Sequence, residues 1–180
     1  MRILLALLLQ ALSMVCIAQV KTGIDILKEN DFQPLKGKRV GLITNPTGVD
    51  RNMKSTIDIL FEADSVELVS LFAPEHGVRG DALGGENILQ TTDARTGVKV
   101  YSLYGKTYKP TAAMLQDIDI LIYDIQDIGC RSYTFISTMG SAMEACAECS
   151  VKFMVLDRPN PLGGEKVEGP LVEKNFQSFV

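Results

Sequence analysis

The chain has 180 residues, 22% of them charged and 46% hydrophobic, with a formal net charge of −4 and a sequence pI near 5.1. That length and apolar content are enough for one domain with a real core. An acidic chain without a basic run carries no electrostatic footprint for nucleic acid, so nucleic acid is not expected among its partners.

The amino terminus reads as a targeting segment. Met1-Arg2 gives a short positive start, Ile3 to Leu9 is unbroken apolar sequence, and Cys16-Ile17-Ala18 offers small residues for cleavage before Gln19. Residues 1–18 are therefore expected to be a signal peptide and the protein to be exported, periplasmic or extracellular. The apolar stretch is short for a membrane span, which needs about 20 residues, so no stable membrane insertion is expected after cleavage. An uncleaved anchor is the plainer alternative. Three cysteines would remain, Cys130, Cys146 and Cys149. An odd number excludes a fully paired framework within one molecule. Cys146 and Cys149 lie three apart on a predicted helix and read as small thiols rather than as a redox or metal pair.

Strand and helix patterns then alternate. Arg39 to Ile43 is an apolar strand after a polar Lys36-Gly37-Lys38 turn. Ser55 to Ala63 has helical spacing, with Ile57, Leu60 and Phe61 on one face. Val66 to Phe72 is the second strand and Val98 to Leu103 the third. Pro110 opens a short helix at Thr111 to Gln116. Asp119 to Ile125 is the most apolar strand. A long helix over Tyr133 to Cys149 carries Phe135, Ile136, Met139, Met143 and Cys146 at three- and four-residue spacing. Lys152 to Asp157 is the last strand. Near-continuous apolar strands separated by helices imply an α/β fold: a doubly wound, mostly parallel sheet with helices on both faces, Rossmann-like. The turn after the first strand, Thr44-Asn45-Pro46-Thr47-Gly48, lacks the glycine fingerprint of a dinucleotide site. Residues 19–170 form the expected catalytic domain. Residues 171–180 read as the start of a connection to a carboxyl-terminal domain that is missing from this chain.

Every predicted strand delivers polar residues at its carboxyl end, where open α/β sheets bind ligands. The first gives Asn45. The second gives Glu75, His76 and Arg79 in a glycine-rich loop. Tyr104 follows the third. The fourth gives Gln126, Asp127, Arg131 and Tyr133, and the last gives Asp157, Arg158 and Asn160, then Glu165 and Glu168. Carboxylates, guanidiniums and amides on one edge suit an anionic, hydroxyl-rich ligand. Cleaving a glycosidic bond needs one carboxylic acid to protonate the leaving oxygen and a second carboxylate as base or nucleophile. Glu75 suits the first role and Glu168 the second, against plainer readings as a capped or ion-paired loop carboxylate and a solvated one. His76 is a base, a metal ligand or a residue that orients a neighbour by hydrogen bonding. As the only histidine it excludes a multi-histidine zinc site. Arg131 and Arg79 are candidates to clamp a carboxylate, with a surface ion pair to Asp81 as the alternative for Arg79. Asp124 lies within the strand register and reads as structural.

Three segments together resemble a known family. Pro74-Glu75-His76-Gly77, Asp124-Ile125-Gln126-Asp127-Ile128-Gly129-Cys130-Arg131-Ser132-Tyr133-Thr134, and Leu156-Asp157-Arg158-Pro159-Asn160-Pro161-Leu162-Gly163-Gly164 with Val167-Glu168-Gly169-Pro170 are similar to the exo-β-N-acetylmuramidases of the NamZ type. The likeness covers the chain from Gly23 onward, with Cys130 standing where alanine is common. It implies an exo-acting glycoside hydrolase of peptidoglycan turnover that releases N-acetylmuramic acid from non-reducing ends. It implies no cofactor and no metal, peptidoglycan-derived saccharides as partners, and a cleft between a Rossmann-like domain and a smaller carboxyl-terminal one. Glu75 and Glu168 match the family's two motif glutamates. Two other readings remain open: a metal-assisted phosphoesterase using Glu75, His76, Asp124 and Asp127, and a non-catalytic sugar- or muropeptide-binding module.

Overall fold

A computed structural model describes residues 20–80 and 90–179. The expected signal peptide and Asp81 lie outside the described residues. Six strands form one sheet: β1 (Arg39–Thr44), β2 (Glu67–Ala73), β3 (Gln90–Thr92), β4 (Lys99–Ser102), β5 (Ile120–Asp124) and β6 (Lys152–Val155). Their spatial order is β3-β4-β2-β1-β5-β6. All pairings are parallel except that of β3 with β4. Without β3, the chain winds outward from β1 through β2 to β4, then returns past β1 to β5 and β6. That is the doubly wound order, with the reversal between β1 and β5.

Side chains alternate across the sheet with the period of a strand. Val40, Leu42, Ile120 and Ile122 face one layer, which holds α1 (Gly23–Glu29) and α2 (Thr56–Phe61). Ile43, Leu121 and Tyr123 face the other, which holds α3 (Ala112–Leu115) and α4 (Phe135–Cys149). Gly41 sits on this second face because a Cβ there would lie 2.6 Å from Ile118 Cδ1. Ser55 caps α2 by accepting from the Ile57 amide, and Thr111 caps α3 by accepting from Met114. Pro110 thus stands before the cap of α3, outside the helix, rather than opening it.

Three features depart from the sequence reading. α1, unforeseen, begins at Gly23, whose amide donates to Asp157 O at 2.7 Å. A Cβ at that glycine would lie 2.5 Å from Leu156 Cα, so the helix start rests directly on the end of β6. β3 is a three-residue polar edge strand with no apolar run to announce it. α4 seats Phe135, Met139 and Cys146 on the sheet side, as expected, but not the rest of the expected face. Ile136 and Met143 are half exposed, while Thr138, Ala142, Ala145 and Cys146 are buried against the sheet. Small side chains at the closest approach let the helix lie flat on the strands. Cys130, Cys146 and Cys149 are free. Burial, then the neighbouring Cys149, pushes the Cys146 thiol up to about 11, so it stays protonated and inert at neutral pH. No described helix is long and apolar enough to cross a membrane.

Candidate functional site

The loops at the carboxyl edge are tied to one another by named bonds. After β1, Asn45 Oδ1 accepts from the Thr47 amide at 3.0 Å and from the Thr47 hydroxyl at 2.6 Å. Thr47 Oγ1 in turn accepts from the Gln126 amide at 2.9 Å, which links the β1 and β5 loops across the topological reversal. A Cβ at Gly48 would collide with Thr44 Oγ1 and sit 3.0 Å from Asp124 O, so only glycine lets this turn close. Gln126 Nε2 donates to Asp127 O and Pro159 O. Asp127 Oδ2 accepts from the Gly129 amide at 2.8 Å, and Asn160 Oδ1 from the Leu162 amide at 2.9 Å. Gly129 has φ +68°, and a Cβ on it would lie 2.6 Å from Asn160 Nδ2. The β5 and β6 loops therefore interlock.

Glu75 and His76 occupy the tight turn after β2, closed by Gly77 N donating to Pro74 O at 3.3 Å. His76 has φ +72°, a left-handed backbone that glycine normally takes. A non-glycine residue there costs about 1–3 kcal/mol, and such strain collects at functional sites. His76 is exposed and Glu75 half-buried. The neighbouring Glu75 carboxylate raises the Tyr104 hydroxyl above its ordinary value.

Arg131 and Tyr133 are exposed on the loop between β5 and α4. Arg131 Nη1 donates to Pro170 O at 2.8 Å, which brings the Glu168 loop against it. Glu168 itself is exposed, as is Asp157. Asp157 lines a shallow groove of about 450 Å³ between α1 and the end of β6. β2 and β5 flank β1. Glu75 and Arg131 thus rise from strand ends about 10 Å apart, two inter-strand spacings.

Three of the candidate residues are turned inward. Arg158 forms a bidentate pair with Asp124, Nε to Oδ1 at 2.6 Å and Nη2 to Oδ2 at 3.0 Å, and also donates to Val49 O. Its side chain is 7% exposed and that of Asp124 is fully buried. The parity of Ile120 and Ile122 puts Asp124 on the α2 face, where Thr56 Oγ1 donates to it at 2.5 Å. Arg158 therefore acts as a strut between β5, β6 and the β1 loop. Arg79 holds Asp93 and Asp58 at 2.5 and 2.9 Å, so its guanidinium fastens the β2 loop to α2 and the β3–β4 turn and is not free to clamp a ligand. The pair depresses Asp93 to about 2, chiefly through the Arg79 hydrogen bond. Asn45 is buried with its carbonyl spent on Thr47. Asp124 is also withdrawn from the metal-assisted reading, since both its oxygens are taken by Arg158 and Thr56. Among the described residues no cluster suited to a metal ion occurs.

Tyr104 went unassigned in the sequence because its loop carries no motif. The register supplies what the motif does not. Ala73 pairs with Ser102, so Glu75 and Tyr104 both lie two residues beyond the last β2–β4 pair.

The open, doubly wound α/β sheet defines a Rossmann-like domain, a fold whose ligands bind beyond the carboxyl ends of the strands. The chain belongs to the family described as "Exo-beta-N-acetylmuramidase NamZ, N-terminal", whose model matches residues 40–180. It is 57% identical over 162 residues to the Bacillus subtilis protein named "Peptidoglycan beta-N-acetylmuramidase NamZ", covering 90% of this chain and 39% of that protein. Two crystal structures from Bacteroides fragilis, each described as a DUF1343 family protein, share the fold. One is 64% identical with a TM-score of 0.82, over 89% of this chain and 40% of that one. The other is 40% identical with a TM-score of 0.75, over 91% and 41%. The chain spans about two fifths of the length of these relatives.

Proposed function

We propose that the protein is an exo-acting glycoside hydrolase that releases N-acetylmuramic acid from the non-reducing ends of peptidoglycan fragments, after export under the control of residues 1–18. The observation that carries this reading is the 57% identity over 162 residues to a protein named as a peptidoglycan β-N-acetylmuramidase, together with the family match over residues 40–180, which include the Glu75 turn, the Arg131 loop and the Glu168 loop. The rim geometry supports it. Glu75 stands on one side of β1 in a strained turn, and Arg131 stands on the other. N-acetylmuramic acid differs from N-acetylglucosamine by a lactyl carboxylate. Arg131 is the exposed guanidinium suited to that group: a guanidinium has five donors, and one of them holds the Glu168 loop through Pro170 O. Glu75 acts on the glycosidic bond and Glu168 is its partner carboxylate.

The test is release of chromophore from a β-N-acetylmuraminide and from the matching β-N-acetylglucosaminide by the full-length protein, with and without Arg131→Ala. The reading predicts that the muraminide is cleaved and that the variant loses about tenfold or more on it, as expected for one charge-assisted contact. Equal cleavage of both sugars, unaffected by the variant, would remove the lactyl recognition. No cleavage of either by the full-length protein would remove the hydrolase.

A further inference from the structure

We infer that Thr47 is a positioning residue: its hydroxyl latches the β1 loop to the β5 loop and so sets where Arg131 stands relative to Glu75. The inference rests on the glycosidase reading above. It begins with the place of the β1 loop. β1 lies between β2 and β5, so the loop after it stands between the loop that carries Glu75 and the loop that carries Arg131. It touches both. On the β2 side, a Cβ on Gly80, whose φ is +76°, would lie 2.9 Å from Pro46 Cγ, so Pro46 rests on the backbone of the Glu75 loop. On the β5 side, Thr47 Oγ1 accepts from the Gln126 amide at 2.9 Å and donates to Asn45 Oδ1 at 2.6 Å. The hydroxyl thus spends its proton on its own loop and a lone pair on the next.

The ties between these loops divide by depth. Thr44 Oγ1 donates to Asp124 O at 2.8 Å, and Arg158 Nη2 donates to Val49 O at 2.8 Å, both from buried side chains. Those bonds hold β1 to its neighbours whether or not residue 47 carries a hydroxyl. Thr47 itself is exposed at the rim. Its bond governs how the loops leave the sheet, not whether the sheet forms. Past Gln126 the β5 loop has little freedom of its own. Gln126 Nε2 donates to Pro159 O at 3.0 Å, and Asp127 folds back onto the Gly129 amide. Gly129 lies against Asn160, and the Tyr133 amide donates to Cys130 O at 3.1 Å, closing a turn around Arg131. A shift at Gln126 is therefore carried to Arg131 rather than absorbed on the way. Displacing a substrate-holding group by about 1 Å costs up to 10²-fold in rate.

The experiment reads kcat and KM on a chromogenic β-N-acetylmuraminide, with Tm, for the full-length protein as wild type, Thr47→Val, Thr47→Ser, Arg131→Ala and the Thr47→Val, Arg131→Ala double variant. Valine keeps the shape and loses the hydroxyl, while serine keeps the hydroxyl. The expected result is a KM raised about fivefold in Thr47→Val, the size of one lost hydrogen bond, with Thr47→Ser within about twofold of wild type and Tm little changed. Because Thr47 acts through Arg131, Thr47→Val adds no further loss in the Arg131→Ala background. A wild-type KM in Thr47→Val, or an equal loss in Thr47→Ser, would overturn the latch. A second loss of the same size in the Arg131→Ala background would overturn its action through Arg131. A lower Tm with a wild-type KM would overturn it in favour of a stabilising role. Each of these leaves the glycosidase reading standing, whereas no cleavage by the wild-type protein would overturn both together.

Discussion

At the residue scale, the arginines of this chain divide by which way they point, and sequence alone does not show the direction. Arg79, Arg131 and Arg158 all follow strand ends in glycine- or proline-rich loops. Arg158 and Arg79 face carboxylates that the sheet has already buried, and a buried carboxylate recruits whichever guanidinium is near, because leaving it unpaired is costly. Among the described residues, Arg131 is bonded to a main-chain carbonyl and stays exposed. The Arg79–Asp93 pair has a pH signature. Asp93 sits at about 2 in the fold, below the roughly 3.9 of an unfolded aspartate. Its contribution is present in full above pH 4 and is lost as the pH falls towards 2, on the order of 2 kcal/mol. Asp119, paired with Arg39 at the other edge, is also held at about 2, by the Arg39 hydrogen bond first, but that pair is exposed and screened by salt. Denaturant titrations from pH 5 to pH 2 in high salt are therefore expected to show a loss of stability that Asp93→Asn reduces, the rest coming from the buried Asp25 and Asp50, which are also held below the ordinary carboxylate range. An unchanged slope in the variant would take the acid sensitivity away from this pair.

At the scale of elements, hydrophobic periodicity located all five parallel strands and three of the helices, because a strand buried on both faces must be apolar nearly throughout. It oriented α4 only in part. Phe135, Met139 and Cys146 pack on the sheet side as expected, but Ile136 and Met143 stay half exposed while Ala142 and Ala145, small enough to fit, are buried. Side-chain size at a crowded contact decided the rotation, not hydrophobicity. α1 was illegible for a related reason. It has seven residues and begins with glycine, a poor helix former, and its place follows from the close contact of Gly23 with Leu156 and Asp157. The α4 packing predicts that Ala142→Leu lowers stability by about 1–3 kcal/mol through overpacking. Ile136→Gln, at a site 57% exposed, should change it by less than about 1 kcal/mol. Thermal or urea unfolding checks both. Equal effects would mean that α4 is seated with its other face on the sheet.

At the scale of the whole molecule, the doubly wound order converts distance along the chain into adjacency at one edge. Glu75 and Tyr104 are brought together by β2 and β4, Asn45 and Gln126 by β1 and β5, and Gly129 and Asn160 by the loops after β5 and β6. The motifs marked which loops matter, but not which members of each loop reach the rim and which bind the loops together. Asn45, Asp127 and Asn160 carry the side chains of ligand binders, yet each has an oxygen committed to holding its own turn. The last segment runs from Pro170 at Arg131 to Phe179 at Tyr108. It joins the β5 loop to the loop after β4, and Glu168 stands two residues before its start.

The central claim is that Glu75 performs the chemistry at this rim. It is tested most directly by single-turnover release of N-acetylmuramic acid from a muropeptide by full-length Glu75→Gln, with binding of the sugar measured in parallel. The account predicts that release falls by about 10² to 10⁴-fold, the loss expected for a missing acid–base group, while binding stays within a few-fold of wild type. Release at near wild-type rate would contradict it.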